Sequence, residues 1–225
     1  SHIMPKNNSS FNFLIQNTIA FVQQELNDAE GGHDWFHVQR VYKNALLISE
    51  NENVNKTIVA LGALLHDIAD SKFHNGDETI GPKKAKAFLQ TQAVSQDTVT
   101  HIIKIIENVS FKGGNTLKTF HSKELEVLQD ADRLDAIGAI GIARTFNYGG
   151  FKNRVIYNPS VQPKLEMTPQ EYKASDAPTI NHFYEKLLKL KDKMNTSSGK
   201  KIAQERHVFM ESFLEQFYQE WNGEK

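Results

Sequence analysis

The sequence predicts an all-α protein that forms a single domain. Apolar residues recur every three or four positions in most segments, which is the period of an amphipathic helix. We find no convincing run of alternating apolar and polar residues, the pattern of a half-buried strand. The chain also has no evident internal repeat, low-complexity tract or interdomain linker, and its 225 residues are enough to bury a core.

The first predicted helix covers residues 11–28, with an apolar stripe formed by Phe13, Leu14, Ile15, Ile19, Val22 and Leu26. Two glycines end this helix, and Asp34 is a suitable N-cap for a second helix over residues 35–52. The inward face of the second helix is predicted to carry His37, Val41, Ala45 and Ile48. Residues 56–69 are almost wholly apolar up to His66, which predicts a buried central helix.

A loop at residues 75–77 precedes a short helix that ends near residue 91, with Pro82 in its first turn. Four more helices are predicted, over residues 96–109, 122–147, 179–194 and 199–222. The predicted helix over residues 122–147 is weakened by Gly138 and Gly141. Residues 149–178 are rich in Pro, Gly, Asn and Lys and lack periodicity, so we expect a functional flap or a disordered segment there.

Composition limits the classes of function. The formal net charge is −1, whereas a general nucleic-acid or anionic-membrane binder would carry a basic excess. The chain has no cysteine, which excludes disulfides and thiolate metal sites. No apolar run reaches the length of about 18 residues that a membrane span needs. We expect residues 1–3, before Met4, to be a cloning remnant, residues 4–225 to form the domain, and the protein to be cytoplasmic.

Three pieces of the sequence place metal-binding side chains in predicted helices. They are His37, the adjacent pair His66 and Asp67, and the run 130–135, which contains three aspartates. Two imidazoles with carboxylates suit a divalent cation that keeps open positions for water and a phosphate oxygen. A lone buried histidine is more often a hydrogen-bonded core residue. A carboxylate at the end of an apolar helix, however, is costly without a partner.

These pieces lie in the stretches HDWFHVQRV (33–41), LGALLHDIAD (61–70) and LQDADRLDAIGAIGIAR (128–144). Their pattern resembles the HD-domain superfamily of metal-dependent phosphohydrolases, and in particular one of its small single-domain bacterial subfamilies. The resemblance covers roughly residues 15–220. It implies a compact all-α HD-domain fold and a site in which ligands from different helices surround one ion.

The resemblance implies a ligand set of His37, His66, Asp67 and Asp132, the last chosen by motif over Asp130 and Asp135. Two-metal relatives commonly carry a neighbouring pair of histidines that this chain lacks, which implies a single divalent ion. Manganese is our first expectation, and magnesium, iron, cobalt, nickel and zinc remain alternatives. The resemblance also implies acid/base catalysis by Asp70; the alternative is a surface ion pair with Lys72 or a role at the end of the helix.

A phosphorylated substrate needs fixed positive charge beside the metal. The candidate substrate-binding cations are Arg40, Lys72, Lys112, Arg133 and Arg144. Arg144 is separated from Asp132 by 12 residues of predicted continuous helix, or about 18 Å. At that distance it could contact a distal part of the substrate or a partner subunit, but not the metal-bound phosphate. Asp135 has two alternative roles: it could orient a metal ligand, or it could form a salt bridge with Arg133.

The remaining candidates are an aromatic segment and several histidines. The segment 148–152, with two aromatic residues, is either a lid or base-stacking wall or simple packing, and we favour packing. His74 and His101 are candidates for hydrogen-bonding a metal ligand or contacting the substrate, and we expect His33 to belong to the cap of the second helix. The remaining histidines, which we expect to be structural, are His121, His182 and His207.

Together these observations predict a metal-dependent phosphohydrolase in which metal-activated water attacks phosphorus. The expected partner is a small phosphorylated molecule such as a nucleotide, and the subfamily resemblance favours release of pyrophosphate from a nucleoside triphosphate. One alternative is a phosphodiesterase of cyclic or oligomeric nucleotides, and another is a non-catalytic metal-binding sensor or scaffold. We expect no membrane partner and disfavour nucleic acid. Homo-oligomerisation stays open.

Overall fold

The architecture comes from a computed structural model, which describes residues 8–27, 34–69, 74–110 and 120–225. All regular secondary structure in these ranges is helical, so the all-α prediction is confirmed. The chain divides into two compact units, Ser1–Ala131 and Asp132–Lys225, which are described in turn. The prediction of a single domain stays a prediction. None of the helices in the described ranges combines the length and hydrophobicity that crossing a membrane requires.

The helices of the first unit follow the predicted order, with ends shifted by a few residues. They are α1 (Asn8–Glu25), α2 (Trp35–Ser49), α3 (Lys56–Leu65), α4 (Ile80–Gln90), α5 (Gln96–Asn108) and most of α6 (Lys123–Leu134). Helix α6 is continuous across the division between the units. Ile15 and Val22 in α1 and Leu26 just after it are buried as predicted, but Phe13 is 66% exposed and does not belong to the apolar stripe.

Helix α3 is the centre of the first unit. All eight of its residues from Ile58 to Leu65 are buried, and the helix contacts α1, α2 and α5. The Asn55 side chain caps its start by accepting a hydrogen bond from the Ile58 backbone N–H at 3.1 Å. The predicted buried central helix is confirmed, but it ends at Leu65 rather than 69, so that His66 is its C-cap.

Helix α2 is positioned by the cap that the sequence predicts. The Asp34 carboxylate accepts a hydrogen bond from the His37 backbone N–H at 3.0 Å. The four residues predicted for the inward face are all buried: His37, Val41, Ala45 and Ile48. The cap therefore fixes the first turn of α2, and with it the start of the buried face that carries His37.

The second unit contains the end of α6, four further α-helices and one 3₁₀ helix. They are α7 (Gly138–Phe151), α8 (Pro169–Ala174), α9 (Asn181–Glu185), the 3₁₀ helix Leu187–Lys193 and α10 (Ser197–Trp221). The predicted irregular segment is largely non-helical, but it includes α8 and the last residues of α7. The helix predicted over 179–194 is divided between α9 and the 3₁₀ helix.

The prediction of one continuous helix over residues 122–147 is wrong, because the helix is interrupted between α6 and α7. Three tighter bonds close the end of α6, from the N–H groups of residues 135, 136 and 137 to the carbonyls of residues 132, 133 and 134. Ile137 is extended, with φ −128° and ψ 170°, and Gly138 follows with φ +73°. A glycine adopts that left-handed conformation without the steric cost of a Cβ atom, so Gly138 permits the break.

Candidate metal centre

The first side chain of the site, His37, lies in the first turn of α2. It is 5% exposed, and its backbone is held by the Asp34 cap. Its ring lies beside that of His66, with 5.8 Å between ring centroids and 63° between ring planes. Helix α2 therefore presents an imidazole to the end of α3 inside the first unit.

His66 is oriented by the helix that it terminates. Its Nδ1 atom lies 2.6 Å from the Ala63 carbonyl oxygen. Because a carbonyl oxygen only accepts, Nδ1 must carry the proton, and the Nε2 lone pair is then left on the opposite side of the ring. A hydrogen bond of this kind is the usual way in which a protein fixes the tautomer of a metal-binding histidine.

Asp132 lies in the last turn of α6. One potential ligand atom from each of His37, His66 and Asp132 lies within 4.8 Å of the others. The preceding residue, Ala131, accepts a hydrogen bond at 3.2 Å from the side-chain amide of Asn44, which lies seven residues after His37 on the buried face of α2. Two imidazoles and one carboxylate at this spacing fit a single divalent cation with open coordination positions.

Asp67, the fourth predicted ligand, follows His66 in a turn and is half-buried. It contributes no atom to the donor group that the described residues form. Of the three aspartates in 130–135, only Asp132 joins that group, whereas Asp130 and Asp135 are buried. The role of Asp67 as a ligand stays a prediction.

Several predicted residues lie outside the described ranges. They are His33, the proposed catalytic Asp70, and the proposed phosphate-binding Lys72 and Lys112. Their roles stay predictions.

Of the other predicted cations, Arg40 is half-buried on α2, one turn after His37. Arg133 donates from Nη1 to the Lys193 carbonyl oxygen at 2.9 Å. The Nη1 atom of Arg144 lies 3.1 Å from Asp135 Oδ2 and 3.0 Å from the Asp135 carbonyl oxygen. The expected separation of Arg144 along a continuous helix is therefore wrong, because the break after α6 lets Arg144 contact Asp135. Its role in substrate binding stays a prediction.

Asp135 therefore forms an ion pair with Arg144. Its side chain is only 2% exposed, so the guanidinium compensates a buried carboxylate. Its charge also acts on Arg206, whose Nη1 donates to the Leu134 carbonyl oxygen at 2.7 Å. These contacts make Asp135 part of the structure that holds the end of α6.

The remaining histidines have contacts elsewhere. His101 Nε2 lies 2.9 Å from the Ser122 hydroxyl, which accepts from the Leu125 N–H at the start of α6. His182 Nδ1 lies 3.0 Å from the Tyr172 hydroxyl, and burial lowers the pKa of His182 to about 4. His207 is buried on α10, His74 is half-buried, and His121 is exposed. None of them belongs to the donor group formed within the described ranges.

Sequence reasoning missed Asn44, which ties α2 to α6. The available signal was an amide side chain on an otherwise apolar helix face, two turns after His37. A buried amide needs a hydrogen-bond partner, so the position indicated a polar contact. It did not indicate that the partner would be a carbonyl 87 residues away.

Known proteins resemble this chain along most of its length. The HD domain family model matches residues 35–137. An HD-superfamily hydrolase from Bacillus thuringiensis, whose crystal structure is known, shares 44% sequence identity with this chain. The two structures align with a TM-score of 0.76, and the match covers 94% of this chain and 98% of that one. The Bacillus subtilis protein YpgQ is 36% identical over 206 residues, which cover 90% of this chain and 91% of YpgQ. A structure of YpgQ in complex with ADP aligns with a TM-score of 0.72 and 31% identity, covering 94% of this chain and 96% of that one.

Proposed function

Because this chain belongs to the HD domain family, we propose that it is a metal-dependent phosphohydrolase acting on a nucleotide or a related small phosphorylated molecule. The observation that carries the proposal is the convergence of His37, His66 and Asp132, whose potential ligand atoms lie within 4.8 Å of one another. Solved relatives include an HD-superfamily hydrolase, which supports hydrolysis as the class of reaction.

The side chains are suited to holding one divalent ion, with Asp67 as the proposed fourth ligand. A bound ion would neutralise phosphate charge and lower the pKa of a coordinated water from about 15.7 towards about 7. The fold restrains the metal-binding side chains before an ion binds. The Ala63 carbonyl oxygen fixes the His66 tautomer, and burial of the α2 face restrains His37. We assign proton transfer to Asp70, four residues after His66.

The nucleotide assignment rests on two observations. The related protein YpgQ binds ADP in its crystal structure. In this chain, Arg133 directly follows Asp132, and we propose its guanidinium, which also donates to the Lys193 carbonyl oxygen, as a cation that contacts the phosphates. We propose a nucleoside triphosphate as the substrate, pyrophosphate as the product, and manganese as the ion.

The test is to strip the protein of metal, add back single divalent ions, and assay phosphate and pyrophosphate release from a panel of nucleotides. Turnover should require an added ion and should be lost in His66→Ala and in Asp67→Ala. His121→Ala, which removes an exposed histidine, is the matched control and should retain activity. Turnover by metal-free protein would contradict the proposal. Ion binding without hydrolysis of any nucleotide would identify a sensor or scaffold instead.

A further inference from the structure

Asn44 is a polar side chain on the buried face of α2. It is 8% exposed, and its side-chain amide donates a hydrogen bond to the Ala131 carbonyl oxygen at 3.2 Å. The bond is itself buried and joins positions 87 residues apart in the sequence. Because a buried polar group that loses its partner is costly, this bond holds α2 to α6 at one defined point.

One end of the bond fixes the backbone of a proposed metal ligand. The Ala131 carbonyl and the Asp132 backbone nitrogen belong to the same peptide unit, which is planar. A donor that fixes the direction of this carbonyl therefore also fixes the start of the Asp132 backbone. The position from which the Asp132 side chain extends is thereby restrained.

The other end of the bond lies on the helix that carries His37. Asn44 follows His37 by seven residues, or about two helical turns, and both residues are buried on α2. The Asp34 cap fixes the first turn of the same helix. The hydrogen bond therefore links the position of His37 to that of Asp132 through a single helix.

Asp132 depends on such a link more than the other two donors do. His66 is held by the Ala63 carbonyl oxygen at 2.6 Å, and His37 is 5% exposed. Asp132 is half-buried, and its carbonyl accepts the first of the tighter bonds that close α6. The regular helical bonding pattern thus changes at Asp132, and Asn44 supplies a restraint from another helix.

The spacing of the donors makes this restraint important. Potential ligand atoms of His37, His66 and Asp132 lie within 4.8 Å of one another, and a binding site needs its side chains held within about 0.5 Å of the productive geometry. We propose that Asn44 is a positioning residue for the metal centre, which keeps the Asp132 carboxylate where it can share one divalent ion with the two histidines. The inference rests on the proposed function only in that this donor group must bind an ion.

The test is the affinity of metal-free protein for manganese, measured by titration calorimetry at a temperature at which every variant is fully folded. Asn44→Ala removes the donor, and we expect the manganese affinity to fall by about tenfold, the lower end of the range for groups that orient metal ligands. Asn44→Leu also removes the donor but keeps most of the side-chain volume, and it should give the same loss. His66→Ala should abolish the binding event that belongs to the site and so identifies it.

Asn181→Ala is the matched control for a purely structural effect. Asn181 is 1% exposed, and its side-chain amide donates to the Val161 carbonyl oxygen, also at 3.2 Å. Neither residue is a neighbour in sequence of His37, His66 or Asp132. The substitution therefore removes a comparable hydrogen bond, and it should lower the melting temperature while leaving the manganese affinity at the wild-type value.

The outcomes separate this inference from the proposed function. Equal manganese affinity in Asn44→Ala and wild type would overturn the inference, and nucleotide hydrolysis by the wild type would leave the proposed function standing. A loss of affinity of the same size in Asn181→Ala would also overturn it, because the effect would then follow stability. If Asn44→Ala does not fold, Asn44→Leu and Asn44→Ser provide the same comparison.

Weaker manganese binding in the Asn44 variants, without turnover of any nucleotide by the wild type, would support the inference while the proposed hydrolysis fails. Wild-type protein that binds neither manganese, magnesium nor zinc would overturn the inference and the metal centre together.

Discussion

The side-chain amide of Asn44 donates a buried hydrogen bond to the carbonyl oxygen of Ala131, 3.2 Å away. The last four carbonyls of a helix lack intrahelical partners. The Asp135 N–H, which a continuing helix would direct to Ala131, donates to the Asp132 carbonyl instead. Asn44 therefore satisfies a carbonyl that the end of α6 leaves unpaired. The same bond joins the helix that carries His37 to the residue before Asp132.

Asn44→Ala should lower the free energy of unfolding by about 1–3 kcal/mol, because it leaves a buried carbonyl without its donor. Urea denaturation monitored by circular dichroism measures the change. Lys43→Ala alters the exposed neighbour on the same helix and should have an effect within about 0.5 kcal/mol. An Asn44→Ala protein as stable as Lys43→Ala would show that water or another group replaces the amide at no cost.

The break after α6 leads to a second prediction, at Gly138. A Cβ atom there would lie 3.0 Å from Arg206 Cγ, and the residue has φ +73°. Gly138→Ala should therefore destabilise the protein by about 1 kcal/mol or more in thermal or urea denaturation. Gly150→Ala is the matched control on α7, since nothing lies within 4 Å of the added atom. It should be neutral or stabilise by up to about 1 kcal/mol. Equal effects of the two substitutions would contradict this explanation of the break.

Local pattern was enough to predict most helices, because a buried helix face repeats within a single segment. Helices α2, α3 and α5 follow this rule, and the capping of α2 by Asp34 was visible in sequence. The break between α6 and α7 was missed because residues 135–137 suit a helix. The break also involves a distant partner, Arg206, which donates to the Leu134 carbonyl oxygen across 72 residues.

The same limit applies to the site. His37, His66 and Asp132 were recognisable because each residue type suits a metal and each lies in a distinctive stretch. Asn44 was not, because its partner, the Ala131 carbonyl oxygen, lies 87 residues away and no local pattern indicates it. Residues whose partners are distant in sequence therefore cannot be identified from local sequence pattern.

The buried His182 predicts a pH dependence of stability. Burial, with smaller contributions from Lys186 and Arg154, lowers its pKa from 6.5 to about 4. The unfolded chain therefore binds a proton that the folded chain does not in the window from pH 6.5 down to about 4. The free energy of unfolding should fall as the pH falls through this window, and His182 should contribute no slope above it.

Urea denaturation at about pH 7 and about pH 5 measures this contribution. His182→Gln should lose less stability between the two values than wild type, whereas His121→Gln, at an exposed position, should match wild type. The comparison between variants removes the effect of other groups that titrate in the same range. Identical pH dependence in His182→Gln and wild type would mean that His182 is not kept neutral by the fold.

The last prediction separates two aspartates three residues apart. Asp132 is half-buried and belongs to the donor group with His37 and His66, whereas Asp135 is 1% exposed and pairs with Arg144. Asp132→Asn should weaken manganese binding strongly, by at least about tenfold in calorimetry, while changing stability little. Asp135→Asn should bind manganese nearly as wild type does. It should lose about 1–3 kcal/mol of stability, because Arg144 and Arg206 are left without their carboxylate. The reverse result, with metal binding lost in Asp135→Asn and retained in Asp132→Asn, would move the metal ligand one turn along the chain and refute the site proposed for this protein.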